Sequence, residues 1–122
     1  MRASVICSTY NQPRFLKLIL SSLERQSLLD FELILADDGS GPETKTIIDE
    51  FTQKASFPVV HLWQEDQGFR KAKIHNEAIK RAKSELLIFM DGDCFADPRY
   101  IQDHVLMFEE HRESPYVFMG RR

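Results

Sequence analysis

Four short polar segments of this chain hold the residue types that can do chemistry. The first is Asp91-Gly92-Asp93, which follows the apolar run Leu86-Leu87-Ile88-Phe89-Met90. The second is Asp37-Asp38, which follows Phe31-Glu32-Leu33-Ile34-Leu35-Ala36. Glycine between two aspartates permits an unusual backbone turn, so both carboxylates of the first segment can reach one ligand. Hard carboxylate oxygens suit Mg²⁺ or Mn²⁺, and such sites use one or two carboxylates together with substrate phosphates. Charge makes the cation necessary. A carboxylate about 4 Å from a phosphate oxygen costs roughly 1 kcal/mol in water and about 4 kcal/mol at an effective dielectric of about 20. A divalent ion reverses that sign and stabilises a departing diphosphate. The plainer alternative is an Asp-Gly turn closing a strand, with Asp93 solvated.

Asp37-Asp38-Gly39-Ser40 suits a nucleotide pocket, in which a carboxylate accepts the imide N–H of uracil or touches ribose. Its alternative is loop polarity before a helix, with Ser40 as a cap. The third segment, Ser8-Thr9-Tyr10-Asn11, offers an aromatic ring to stack on a base and hydroxyls to hydrogen-bond it, or simply turn and cap residues. The fourth runs from Asp66 to Asn76 and opens a helix. A helix N-terminus attracts anions, and Arg70 and Lys73, three apart, can hold diphosphate oxygens from one face; otherwise they form a solvated basic face. Gly68 is expected to supply a loop conformation closed to other residues, and Asn76 to fix a neighbouring loop.

Other reactive types carry less. His61, His75, His104 and His111 show no zinc spacing. Cys94 lacks the nearby base that a catalytic thiol needs. Trp63 and most of the nine Phe residues read as core, with Phe69 the most exposed aromatic. Arg121 and Arg122 read as a solvated tail or a phosphate contact.

The elements that must position these segments alternate. Strands are expected at about 3–8, 31–36, 58–63 and 86–90. The helices between them carry stripes at helical spacing: Phe15, Leu16, Ile19, Leu20 and Leu23; Ile47, Ile48 and Phe51; Ile74, Ala78, Ile79 and Ala82 in a helix from about Arg70 to Lys83. Asn11 offers an N-cap with Pro13 in the first turn, and Asp97 caps a last helix opened by Pro98, with Ile101, Val105 and Phe108 inward. Tyr116–Met119 reads as the start of a fifth strand. Near-continuous apolar strands alternating with amphipathic helices imply an α/β fold: a Rossmann-like, mostly parallel sheet with helices on both faces and the first and fourth strands adjacent. Ligands of such sheets bind at the carboxyl edge, where Asp37-Asp38 and Asp91-Gly92-Asp93 would meet.

At 122 residues the chain is one domain, able to bury about two thirds of its unfolded surface. Its 43% hydrophobic and 29% charged content is ordinary for a globular protein. A formal net charge of −3 argues against a nucleic-acid module held by a generally basic surface. Two cysteines without CxxC spacing read as free thiols in a reducing cytosol. No run approaches the ~20 apolar residues of a membrane span, and no signal-peptide pattern precedes the first strand. The expected location is cytoplasmic, with peripheral attachment to the inner face of a membrane left open.

Together these segments resemble the family-2 glycosyltransferases with a GT-A fold. The likeness runs through Val5-Ile6-Cys7-Ser8-Thr9-Tyr10-Asn11, the first helix ending near Gln26-Ser27, Phe31–Ser40, Gly68-Phe69-Arg70 with Asn76, and Leu87–Asp93. Each piece is common, whereas their order and intervals are specific. Gly68-Phe69-Arg70 is similar to the branch of chondroitin-polymerase-like polysaccharide enzymes. The resemblance implies a nucleotide-sugar donor, most often a UDP-sugar, a saccharide or glycoconjugate acceptor, inversion at the anomeric carbon and Mn²⁺ or Mg²⁺ as cofactor. Position by position, it implies Ser8, Tyr10 and Asp38 around uracil, with Thr9 and Asp37 adjacent. Arg70 would lie near the nucleotide or diphosphate, Asp91 at the ribose or sugar and the metal, and Asp93 on the metal. His75 stands where the family usually has Arg.

Family members continue into an acceptor half that carries the base. Asp97, Asp103 and Glu109 do not replace it, so the base is expected beyond Arg122, and residues 1–122 as the N-terminal, donor-binding part of a longer catalytic domain. Three alternatives differ in class. A phosphoacceptor receiver domain would place its acidic pair after strand one, where Ser8-Thr9-Tyr10 stands. A nucleotidyltransferase would have a Gly-rich basic loop in place of Tyr10-Asn11-Gln12-Pro13-Arg14. A non-catalytic interaction fragment would keep the fold without binding nucleotide.

Overall fold

The apolar runs and helical stripes become alternating elements in the computed structural model, which describes residues 1–68, 70–91 and 95–110. They are β1 (Ala3–Thr9), α1 (Pro13–Glu24), β2 (Phe31–Asp37), α2 (Pro42–Lys54), β3 (Val59–Trp63), α3 (Lys71–Arg81), β4 (Leu87–Met90) and α4 (Tyr100–Glu110). Phe69, Gly92, Asp93, Cys94, His111, the expected strand at Tyr116–Met119 and Arg121-Arg122 lie outside the described residues.

The four strands form one sheet in the order β3-β2-β1-β4, every pair parallel, with β1 beside β4 as expected. Successive side chains on a strand point to opposite faces, and both faces are covered. Val5, Cys7, Leu33, Leu35 and Ile88 pack with Leu16, Ile19, Leu20 and Leu23 of α1, Ile47 and Ile48 of α2, and Ile101 and Val105 of α4. Ile6, Ile34 and Ala36 pack on the other face with Ile74 and Ala78 of α3. Each of the four buried α1 side chains contributes roughly 1.5–3 kcal/mol over leaving it exposed. Cys7 is fully buried in β1. No helix among the described residues is long and apolar enough to cross a membrane.

Register sets the edge that matters. Thr9 pairs with Asp37, Asp37 with Trp63, and Cys7 with Met90. The strand ends are therefore nearly level, and Ser8-Thr9-Tyr10, Asp38, Gln64 and Asp91 emerge side by side.

Several local expectations are corrected. Asn11 is not the cap of α1. It takes φ +45° and its Oδ1 accepts from Gly41 N at 2.9 Å, tying the β1–α1 turn to the β2–α2 turn; asparagine tolerates this left-handed backbone better than most residues. Ser40 caps nothing either, because its hydroxyl accepts from Asn11 N at 2.8 Å. Asp97, by contrast, caps the entry to α4 as expected, its Oδ1 accepting from Arg99 N and its carbonyl from Tyr100 N. Ile79 is exposed because α3 presents only the narrow Ile74–Ala78 face to the sheet. Trp63 is 53% exposed rather than core, its indole N–H held by the Ser40 carbonyl at 3.0 Å.

Candidate functional site

An open cavity of about 490 Å³ lies at the carboxyl edge of the sheet. β1 and the turn after it supply Ser8, Thr9, Tyr10 and Gln12; β2 supplies Ala36 and, just past its end, Asp38. Asp66 and Gly68 come from the β3–α3 loop, Lys71 and Ile74 from α3, and Asp91 from the end of β4. The two acidic segments, more than fifty residues apart in the chain, thus border one space.

The neighbouring aspartates Asp37 and Asp38 have opposite fates. Asp37 ends β2 with its side chain buried away from the cavity. Its Oδ1 accepts from Ser40 N at 2.9 Å, and its Oδ2 lies 2.8 Å from His61 Nε2. A carboxylate can only accept, so His61 carries a proton on Nε2. Asp37 therefore builds the β2–α2 turn, and its expected place beside the nucleotide is corrected. Asp38 follows on the other side of the strand and lines the cavity. Its Oδ1 accepts from Gln64 Nε2 at 2.7 Å and its Oδ2 from Arg70 N at 2.8 Å. Each oxygen keeps a second lone pair, so Asp38 is a fixed, preorganised acceptor.

The β3–α3 loop closes one side. Gly39 takes φ +98°, and a Cβ there would lie 2.6 Å from the Asp66 backbone, so the loop settles directly on this glycine. Asp66 Oδ2 accepts from the Tyr10 hydroxyl at 2.7 Å, and this bond raises the phenol's pKa because ionisation would put two anions together. Gly68, with φ +85°, turns the chain as expected. Arg70 is the residue before the first helical one. Its backbone serves Asp38, its Nη2 reaches the Glu65 carbonyl at 3.5 Å, and its Nε is buried without a partner among the described residues.

Lys73, expected to share the diphosphate with Arg70, is exposed and does not line the cavity. Lys71 lines it instead, because it lies three residues before Ile74 on the same face of α3; its Nζ donates to Asp91 Oδ1 at 2.8 Å. Behind it, His75 packs against Phe89 with its Nε2 buried and without a partner among the described residues. Burial lowers its pKa and the Lys71 ammonium lowers it further, against an opposing pull from Asp91.

Asp66, Lys71, Gln64 and His61 were not singled out in the sequence. The signal available for Asp66 and Lys71 was their nearness to Gly68, two residues before it and three after. Three carboxylates, those of Asp38, Asp66 and Asp91, face one ammonium across the lining. Among the described residues no three His, Cys, Asp or Glu side chains converge as a metal site. The described donor is Asp91, a hard oxygen ligand at the cavity rim. This fits a cation completed by ligand phosphates rather than an all-protein cage. Asp93 lies outside the described residues.

The geometry has close relatives. Validoxylamine A glucosyltransferase of Streptomyces hygroscopicus is 35% identical over 101 residues, covering 81% of this chain and 24% of that protein. Chondroitin synthase of Pasteurella multocida is 29% identical over 120 residues, covering 98% of this chain and 12% of that protein. The crystal structure of Staphylococcus aureus TarS, a poly(ribitol-phosphate) beta-N-acetylglucosaminyltransferase, superposes with a TM-score of 0.77 at 30% identity, over 92% of this chain and 20% of that one. The same agreement, 0.77, holds for TarS 1–349 in complex with UDP-GlcNAc. The chain spans about a quarter or less of the length of these curated relatives. The α/β fold is the GT-A-type arrangement seen in TarS. With the glycosyl transferase family 2 pattern matching residues 4–120, nearly its whole length, this chain belongs to that family.

Proposed function

We propose that this chain is the donor-binding part of a metal-dependent, inverting glycosyltransferase that takes a UDP-sugar. One observation carries the reading: Ser8, Tyr10, Asp38 and Asp91 border a single cavity at the carboxyl edge of a parallel sheet. The UDP and UDP-GlcNAc complexes of TarS support uridine as the nucleoside.

Asp38, held by Gln64 and the Arg70 backbone, accepts the uracil imide N–H. Tyr10 offers its exposed ring to the base, and Ser8 and Thr9 offer hydroxyls beside it. Lys71 stands at the diphosphate side of the lining, and Arg70, which does not itself line the cavity, serves the site through its backbone N–H on Asp38. Asp91 and Asp93 would hold Mn²⁺ or Mg²⁺, which supplies positive charge against the departing diphosphate. The acceptor, a saccharide or glycoconjugate hydroxyl, attacks the anomeric carbon from the side opposite that diphosphate.

No described carboxylate outside the cavity suits the acceptor's base. Asp97 holds its own turn, Asp103 pairs with Arg99, and Glu109 pairs with Arg2 at 2.7 Å. The acceptor's base is assigned outside the described residues. Calorimetry tests the reading. UDP with Mn²⁺ binds the wild type, EDTA weakens it, and Asp38→Asn weakens it about fivefold or more, as expected for an unmatched buried polar partner worth about 1–3 kcal/mol. Affinity unchanged by EDTA would remove the metal from the account; affinity unchanged in Asp38→Asn would remove the base assignment.

A further inference from the structure

Lys71 occupies a position that helix stability does not explain. It opens α3, whose first turn contains no acidic side chain and whose cap residue, Arg70, makes no side-chain cap. The N-terminal end of a helix carries partial positive charge, so a cation there is unfavourable. Yet its Nζ turns across the cavity rim to Asp91 Oδ1 at 2.8 Å, with the two side chains 34% and 36% exposed. A pair this open to water is weak and easily exchanged. Asp91 is also the described carboxylate assigned to the divalent cation, and the inference rests on that reading. An ammonium and a divalent ion cannot both sit on the same oxygen at contact distance without repelling each other.

We propose that Lys71 is a positioning residue that occupies Asp91 in the ligand-free protein and yields it to the divalent cation only when a nucleoside diphosphate enters. The incoming phosphate oxygens give the ammonium a new partner within reach of its flexible stem. Before the exchange, Asp91 is neutralised by Lys71. Afterwards the cation lies between Asp91 and the diphosphate, and Lys71 lies on a phosphate oxygen. Lys71 and Asp91 each keep an opposite neighbour in both states. No bond is made or broken. The consequence is cooperativity: the cation alone binds poorly because it must displace Lys71, and the nucleotide alone binds poorly because it meets carboxylates. By linkage, the factor by which UDP tightens Mn²⁺ equals the factor by which Mn²⁺ tightens UDP.

The test measures free Mn²⁺ by electron paramagnetic resonance, with and without UDP, for the wild type, Lys71→Met and Lys71→Arg; UDP binding is followed by calorimetry in parallel. Lys71→Met should bind Mn²⁺ alone up to about fivefold more tightly, as loss of a surface ion pair allows. It should also lose at least tenfold of the coupling between Mn²⁺ and UDP. Lys71→Arg, which can still pair with Asp91 and then with phosphate, should retain the coupling within about threefold, an outcome that a merely structural role for this residue does not require. Coupling within twofold of the wild type in Lys71→Met overturns the exchange while leaving UDP binding intact. Failure of the wild type to bind UDP under either condition overturns the donor-binding reading and the exchange with it.

Discussion

Replacing Gly39 by alanine should damage this protein in two separable ways. The backbone at Gly39 has φ +98°, where an L side chain is strained by about 1–2 kcal/mol. In addition, the new Cβ would lie 2.6 Å from Asp66 N, Cα and Cβ, contacts that real Cβ atoms do not make. Relieving them moves the β3–α3 loop, and overpacking of this kind costs roughly 1–3 kcal/mol more. The sum is about 2–5 kcal/mol. For a domain of this length each kcal/mol lowers Tm by roughly 3–5 °C, so calorimetric unfolding should show a loss of about 6–25 °C. Gly68 is the internal control. Its φ is +85°, but among the described residues nothing lies within 4 Å of a Cβ built there. Gly68→Ala should bear only the backbone cost, about 1–2 kcal/mol. Because Asp66 holds the Tyr10 hydroxyl, Gly39→Ala should also weaken UDP binding by more than Gly68→Ala does. Equal losses of Tm in the two variants would refute the reasoning, since loop contact would then contribute nothing at Gly39.

Three further outcomes follow from the same geometry. Asp37→Ala should cost about 1–3 kcal/mol of stability, because it strands Ser40 N and His61 Nε2, whereas Asp38→Asn should cost less stability and more UDP affinity; equal urea midpoints for the two would contradict the division of roles. Glu32 is buried at the opposite end of β2, where its Oε2 accepts from Ser4 Oγ at 2.6 Å and Lys83 N at 2.7 Å. Glu32→Ala should lower stability by about 2–4 kcal/mol in urea unfolding and leave UDP affinity within twofold. His75 should titrate below its ordinary value of about 6.5 in the ligand-free protein, because burial disfavours the imidazolium. A lowered folded pKa means that its contribution to stability is present above about pH 6.5 and is lost as pH falls through the folded value. An NMR titration midpoint at or above 6.5 would contradict this.

Much of the fold was legible because a parallel sheet buried on both faces writes its strands as near-continuous apolar runs. Those runs and the stripe of α4 fall where expected, as does that of α1 except for Phe15, which is 44% exposed. So does the meeting of Asp38 with Asp91, since level parallel strands must deliver their C-terminal ends to one edge. What was not legible depends on which way a face turns or on tertiary partners. The face of α3 that meets the cavity is the one bearing Ile74, which carries Lys71 and not Lys73. Alternation at the end of β2 sent Asp37 inward and Asp38 outward, and only the position of His61 on the neighbouring strand shows which is which. Asn11 and Ser40 look like helix caps in sequence, yet they bond to each other's turns. Trp63 has the composition of a core residue, but β3 is an edge strand and the ring lies over the β2–α2 turn instead.

The central claim is that one nucleoside diphosphate and one divalent cation share the cavity between Asp38 and Asp91. Paramagnetic broadening of backbone amide signals by Mn²⁺ in the presence of UDP tests it most directly. The account predicts that the amides of Asp91, Lys71 and Ser8–Tyr10 broaden first, while those of Asp30 and Ser84, at the other edge of the sheet, stay sharp. Broadening centred away from Asp91, or the same pattern with and without UDP, would contradict it.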